Sequence, residues 1–387
     1  MSGFSAVRRS WPGAIASDFN YDWRIRGGLP MRYLLLAFVG AIAPWAAADE
    51  PPPRARIYEN RLRRIDEPRP LLADYPEFFE PIREEAHFEA PPIVVDEGAD
   101  LHVRAWRFSY NARGIIEMPN HLRAKETAVI MVHPWAIDDA WGWKSPEPNG
   151  VADFCTPAKN ALAARHTREV IDPFLKRLRG RAAHVMYSLP GPADDVRTRV
   201  YRSFKKAPTP AERAAAEAEL RKILAQYRYE GQPLPQAITL SPDHSVRDYF
   251  HQFPGLDSSA RYNGEGFWKL PIPVSTAVSV DPQDVVIFDA EGYGPLRDFL
   301  KKDGVRHILL TGYATDMCYC RTTAGYENLS KDFNVFLVAD ASLATFPANT
   351  SPRMAVNAAI SLAALNQLIT QVSWVKLDGD DRRGGTK

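Results

Sequence analysis

Gly312-Tyr-Ala-Thr315-Asp-Met-Cys318-Tyr-Cys-Arg-Thr322 decides the fold, because it follows the apolar run His307-Ile-Leu-Leu-Thr311 and leads into a helix-compatible sequence. A thiol is thereby placed at a strand-to-helix turn. Backbone N–H groups and the positive end of a helix dipole favour thiolate over thiol there, which turns a weak acid into a nucleophile. Cys318 is the first catalytic candidate. Taken alone, a cysteine after a strand is more often a small buried hydrophobe.

Outward from this turn, the chain repeats one alternation. Thr127-Ala-Val-Ile-Met-Val132 is apolar on both faces, as a central parallel strand demands. Further strands are expected from Ala183 to Ser188, from Asp284 to Asp289, at His307 to Thr311 and from Val335 to Ala339. Helices are expected from Ala161 to Leu178, stopping at Gly180, from Asp316 to Leu329, and from the cap Ser351 with Pro352 to Ile369. Asp100 to Phe108 alternates apolar and charged residues and pairs with Gly114-Ile-Ile-Glu-Met-Pro119 as a hairpin. Strands alternating with helices imply an α/β protein with a parallel sheet covered on both faces. Such sheets bind ligands beyond the carboxyl ends of their strands, which is where His133, Ser188, Asp289 and Cys318 all fall.

The spacing Gly312-x-x-Thr315-x-x-Cys318-x-x-x-Thr322 resembles the isochorismatase-like cysteine hydrolases. The stretches Asp284 to Asp289 and Val335 to Ala341 resemble that family's flanking strands, and the likeness runs from about Thr127 to Val375. It implies a three-layer α/β/α fold with a central parallel sheet, to which this chain adds an N-terminal β-hairpin and a long insertion. It also implies hydrolysis of an amide or related small-molecule bond, with the backbone N–H groups of Ala314 and Cys318 as the oxyanion hole. The family's site combines an Asp after the first strand, a Lys after the third, and the Cys.

This chain departs from that pattern at two of the three positions. His133 stands where the Asp would be, and Asp289 aligns most simply with the missing Lys. An imidazole can take the thiol proton and return it to a leaving group, with an aspartate fixing its tautomer. The alternatives are a His133 that caps its strand and an Asp289 that is a solvated loop carboxylate. Trp135, Trp141, Tyr313 and Tyr319 are expected to wall a substrate pocket, with buried packing as the alternative. No cofactor is expected. Nicotinamidases of the family hold a metal through an Asp-x-His after the second strand, and Ser188-Leu-Pro190 lacks it; Asp243, His244 and His251 offer a two-His-one-carboxylate set at loose spacing. A second class of function is a catalytically silent family member that binds a ligand or an envelope protein through its insertion.

With 387 residues, 45% hydrophobic content and a net charge of +1, the chain can build a large core and has no electrostatic bias toward nucleic acid. Met31 to Ala48 has a basic start, an apolar run and an Ala-x-Ala ending, and reads as a signal peptide cleaved before Asp49. Its run is shorter than the roughly 20 residues of a membrane span, so an exported, periplasmic or secreted protein without a span is expected, an uncleaved anchor being the alternative. The domains expected are an upstream segment and signal over 1–48, a Pro-rich linker over 49–98, the hydrolase-like domain over 99–375 with an insertion at 190–270, and a polar tail over 376–387. Inside the insertion, Thr209-Pro-Ala-Glu212 is a capping box opening an exposed helix to Tyr227, and Ser241 to Trp268 is a candidate lid. Cys155, Cys318 and Cys320 are an odd count, so at least one thiol stays unpaired within the chain. The expected partner is a small-molecule substrate, and self-association is left open.

Overall fold

A computed structural model describes residues 56–134, 141, 157–227, 237–252, 270–316, 318–344 and 371–377. The chain divides into two compact units, 1–56 and 57–387, and the fold described is that of the second. The signal segment, Trp135, Cys155, most of the candidate lid and the helix from Ser351 to Ile369 lie outside the described residues.

The strands are β1 (Arg63–Ile65), β2 (His87–Glu89), β3 (Leu101–Ser109), β4 (Gly114–Leu122), β5 (Thr127–Val132), β6 (His184–Leu189), β7 (Val285–Phe288), β8 (His307–Tyr313), β9 (Asn334–Leu343) and β10 (Gln371–Leu377). They form one sheet in the order β1-β2-β4-β3-β10-β9-β8-β5-β6-β7. From β10 to β7 every pairing is parallel. As the sequence predicted, Leu310, Val132, Val185 and Ile287 sit on four neighbouring strands.

Burial explains why β5 lies inside the parallel part of the sheet, between β8 and β6. All six of its residues are buried, and they alternate between two separate cores. Val129 and Met131 join the layer that includes Leu175 and Leu178 of the helix Asp172–Leu178. Ile130 and Val132 face the layer that includes Leu296 and Leu300 of the helix Tyr293–Lys302. Each such fully buried leucine contributes about 1.5–3 kcal/mol relative to an exposed one. The result is the α/β/α sandwich expected, with the carboxyl ends of β5, β6, β7 and β8 side by side.

Several boundaries differ from expectation. Residues 57–98 are not a bare linker, since β1 and β2 extend the sheet and Leu71, Leu72, Phe78 and Phe79 are at most 1% exposed. Proline-rich extended chain is compatible with short edge strands, which is why its composition misled. Strand β10 pairs antiparallel with β3 and parallel with β9, so it splices the hairpin onto the parallel sheet and carries the domain past residue 375. The expected helix from Asp316 to Leu329 is two short helices, Cys318–Arg321 and Tyr326–Leu329. A Cβ on Gly325 would stand 2.7 Å from the Thr322 nitrogen, so the chain folds back on itself there.

The insertion is better anchored than its charges suggested. The capping box forms, with Glu212 N–H donating to Thr209 Oγ1 at 3.2 Å and Thr209 N–H to the Glu212 carboxylate at 2.8 Å. Yet the helix Pro210–Gln226 also buries Ala216, Leu220 and Leu224, an i, i+4, i+8 stripe on one face. Arg202 bridges to Val285 and so covers the open edge of β7, an arrangement that blocks edge-to-edge pairing.

Candidate active site

The carboxyl end of β5 turns sharply. His133 follows Val132 with φ 47°, a left-handed backbone uncommon outside glycine, and its N–H donates to the Ser188 carbonyl at 3.0 Å. That turn drives a 3% exposed imidazole toward the end of β7. There His133 Nε2 meets Asp289 Oδ2 at 2.7 Å, and Ser188 Oγ donates to Asp289 Oδ1 at 2.9 Å. Three adjacent strand ends therefore converge on one carboxylate. With Nε2–H donated to Asp289, a neutral ring carries its lone pair on Nδ1.

The Cys318 segment is tied to the same carboxylate's backbone, because Thr323 Oγ1 donates to the Asp289 carbonyl. Tyr319 N–H donates to the Ala314 carbonyl at 3.2 Å, which closes the turn around Cys318. Cys318 is half-buried and stands first in the helix Cys318–Arg321. Four residues supply only a fraction of the dipole a full helix would offer, so activation of this thiol rests more on its neighbours than the sequence suggested. Neither Cys318 nor Cys320 is in a disulfide. Burial pushes the Cys320 thiol up to about 11, which sets it apart as the inert one of the two.

Gly312 fixes the approach of β8 to β5. Its φ is +102°, and a Cβ there would stand 2.3 Å from the Val132 carbonyl oxygen. Only glycine allows the two backbones to lie so close immediately before His133 on one strand and the Cys318 turn on the other.

Other expected residues fall elsewhere. Tyr313 and Tyr319 are 3% and 1% exposed and belong to the core rather than to a pocket wall. The Tyr313 hydroxyl is engaged by Thr167 Oγ1 at 2.7 Å and His166 Nδ1 at 3.0 Å, and the Tyr319 hydroxyl donates to the Leu310 carbonyl at 2.6 Å. Trp141 is also buried, its Nε1–H donating to the Val274 carbonyl at 3.0 Å with Arg221 4.3 Å above its ring. Trp135 lies outside the described residues. Glu291 pairs with Lys205 at 2.6 Å, so an insertion residue reaches the loop after β7.

Ser188, singled out in the sequence by its place at a strand end, completes the hold on Asp289. One buried cation escaped the sequence reading. Lys159, in the helix Pro157–His166, has no exposure at all. Burial pushes its ammonium down to about 8 against the pull of Asp316, two residues before Cys318. No periodicity in the sequence marked that lysine as buried.

The metal question has a different geometry from the one expected. Asp243 and His244 are exposed, and the His251 side chain lies outside the described residues. The end of β6 offers Ser188 in place of an acid and histidine pair, so these residues do not fit the nicotinamidase type of metal site. Among the described residues, Asp96, Glu126 and His307 bring potential ligand atoms together, at the opposite ends of the strands. Arg306 already bridges Asp96 and Glu126 at 2.9 Å each, so the cluster carries its own cation. No helix among the described residues is long and apolar enough to cross a membrane.

No curated protein sequence matches the chain. Among solved structures, a cysteine hydrolase from Pseudomonas syringae pv. phaseolicola is 16% identical, covering 58% of this chain and 75% of its own, at a TM-score of 0.29. A nicotinamidase from Bacillus subtilis is 13% identical over 64% of this chain and 98% of its own, at 0.30. A protein from L. infantum in complex with nicotinate is 12% identical over 63% and 88%, also at 0.30. All three scores lie below 0.5 and add no weight to the sheet topology itself. Residues 275–370, which hold β7, β8, the Cys318 turn and β9, match the family model described as Isochorismatase domain, and it is this family, the isochorismatase-like cysteine hydrolases, that the chain resembles.

Proposed function

We propose that the protein is a cysteine hydrolase acting on an amide or related small-molecule bond, with Cys318 as nucleophile, His133 as proton shuttle and Asp289 as the group that orients it. The observation that carries this reading is the 2.7 Å contact between His133 Nε2 and Asp289 Oδ2 at the strand ends beside the Cys318 turn. The thiol proton passes to His133, the sulfur attacks the carbonyl carbon, and backbone N–H groups of Ala314 and Cys318 receive the oxyanion. Collapse breaks the C–N bond as His133 returns the proton to the leaving amine. Water, deprotonated by His133, then cleaves the thioester and frees Cys318. Asp289 holds the imidazolium through both steps without itself taking the proton.

The protein is further proposed to act outside the cytoplasm, because Met31 to Ala48 has the pattern of an export signal. Peptide mass spectrometry of exported material should find a chain beginning at Asp49.

The test of the chemistry is iodoacetamide labelling against pH, with the modified cysteine read by peptide mass. In the native protein Cys318 should react well below the ordinary thiol pKa of about 8.5 and ahead of Cys320, and His133→Ala should raise that threshold. Ordinary thiol behaviour at Cys318 in both proteins would replace this reading with that of a non-catalytic ligand binder.

A further inference from the structure

On the face of the sheet whose core includes Tyr313, Val170 and Phe174, a pocket of about 340 Å³ opens between the segment around Arg69 to Tyr75, the helix Asp172–Leu178, β9 and β10, with neither His133 nor Asp289 in its lining. Its size is that of a small-molecule site. Asp340 lines it, is 8% exposed, and no side chain donates a hydrogen bond to its carboxylate. Among the described residues only its own backbone N–H reaches that carboxylate, and a charge held by so little in such surroundings costs free energy unless a further donor arrives. Burial pushes its pKa up to about 7, so near neutrality it exchanges between an acid and a base.

The remaining lining is sorted by chemistry. Val170, Phe174, Val338, Ala341 and Val375 give apolar walls. Arg69, Arg177 and Lys376 bring three positive charges, Tyr75 brings a phenol within the field of Asp340, and Asp74, already paired with Arg69, is the second carboxylate. A bare organic cation would gain from Asp340 and lose to Arg177 and Lys376, whereas a bare anion would face the reverse. A ligand carrying both charges satisfies both ends.

We propose that this pocket is a second binding site, for an α-amino acid with an apolar side chain, whose ammonium group pairs with Asp340, whose carboxylate meets Arg177 and Lys376, and whose side chain packs on Phe174 and its aliphatic neighbours. The site does not depend on the hydrolase reading, because it shares no residue with His133, Asp289 or Cys318. It is joined to that region only through the fold: the Asp340 carbonyl accepts from His166 Nε2 at 2.8 Å, and His166 Nδ1 reaches the Tyr313 hydroxyl.

Isothermal titration of the full chain with L-phenylalanine tests it, against phenethylamine, which lacks the carboxylate, and phenylacetate, which lacks the amine. L-phenylalanine should bind with a Kd of about 1 mM or tighter, and each truncated probe at least about tenfold more weakly. Asp340→Asn, nearly isosteric, should lose that margin over phenylacetate, while His133→Ala should bind as the native protein does. Absence of binding by L-phenylalanine, equal affinity in Asp340→Asn, or phenylacetate binding as well as the amino acid would overturn the proposal.

Discussion

Two histidine–aspartate pairs stand at opposite ends of the same parallel strands, His133 with Asp289 at 2.7 Å and His307 with Asp96 at 2.9 Å. Their heavy-atom distances are nearly the same, and their surroundings are not. Asp96 is also bonded by the Arg123 N–H and Arg306, and the second nitrogen of His307 lies 3.2 Å from Asn334 Nδ2. Asp289, 18% exposed, is paired with no arginine or lysine among the described residues; its other side-chain contact is the Ser188 hydroxyl. A buried pair with its cation supplied and its nitrogens engaged holds structure, because neither partner can change protonation without loss. The His133–Asp289 pair, with a partly solvated carboxylate and its imidazole on a left-handed turn, includes no arginine or lysine among the described residues, so a substitution there strands no buried cation.

Substitutions should separate the two ends. The largest effect is expected for Cys318→Ala, which should lower turnover of any amide substrate at least ~10⁴-fold while leaving thermal unfolding close to native. A comparable residual rate would remove the nucleophile from the site. The next sharpens the contrast by pH. The native state keeps a proton on Asp340 between the ordinary value of 3.8 and about 7, where the unfolded chain has lost it, so stability falls as pH rises through that window. Asp340→Asn should flatten this slope, worth about 4 kcal/mol at its limit, in denaturant titrations at pH 4 and pH 8. His307 behaves in the opposite sense: burial lowers its pKa below 6.5, so the stability it contributes is lost as pH falls below that value.

Asp96→Ala should cost about 3 kcal/mol of stability, since it strands buried partners, yet leave the pH profile of Cys318 labelling unchanged. Asp289→Asn should do the reverse, lowering activity about 10²-fold with unfolding barely moved. If both variants act alike, the distinction between the two ends fails. The smallest effect is Thr209→Ala, which removes the helix cap in the insertion and should cost about 1 kcal/mol by denaturant titration.

The central sheet was legible because β5 to β9 each present an apolar run bounded by turn residues, a signal that depends on local periodicity. The same rule could not see β1, β2 or β10, whose strand state depends on partners far away in the chain. Gln371 pairs with Trp106 and with Leu337. At the site, the positions of His133, Asp289 and Cys318 followed from strand ends, whereas the 2.7 Å contact between His133 and Asp289 depends on the pairing of β5, β6 and β7. Tyr313 and Tyr319 misled because an aromatic near a strand-end cysteine reads alike whether its hydroxyl faces solvent or a buried carbonyl. Lys159 was invisible for a related reason: a buried ammonium looks like any helix lysine until the tertiary structure closes over it.

Gly312 separates two properties of the site that are usually confounded. Its missing side chain works as a gauge block, setting the gap between the strand that presents His133 and the strand that delivers Cys318. The side chains at 133 and 289 can be exchanged while that gap stays as it is. A single methyl group at 312 would instead widen it without changing any other side chain. Side-chain identity and spacing are therefore written at different positions, and a chain of this design can exchange the groups at 133 and 289 without first rebuilding the frame that brings them together.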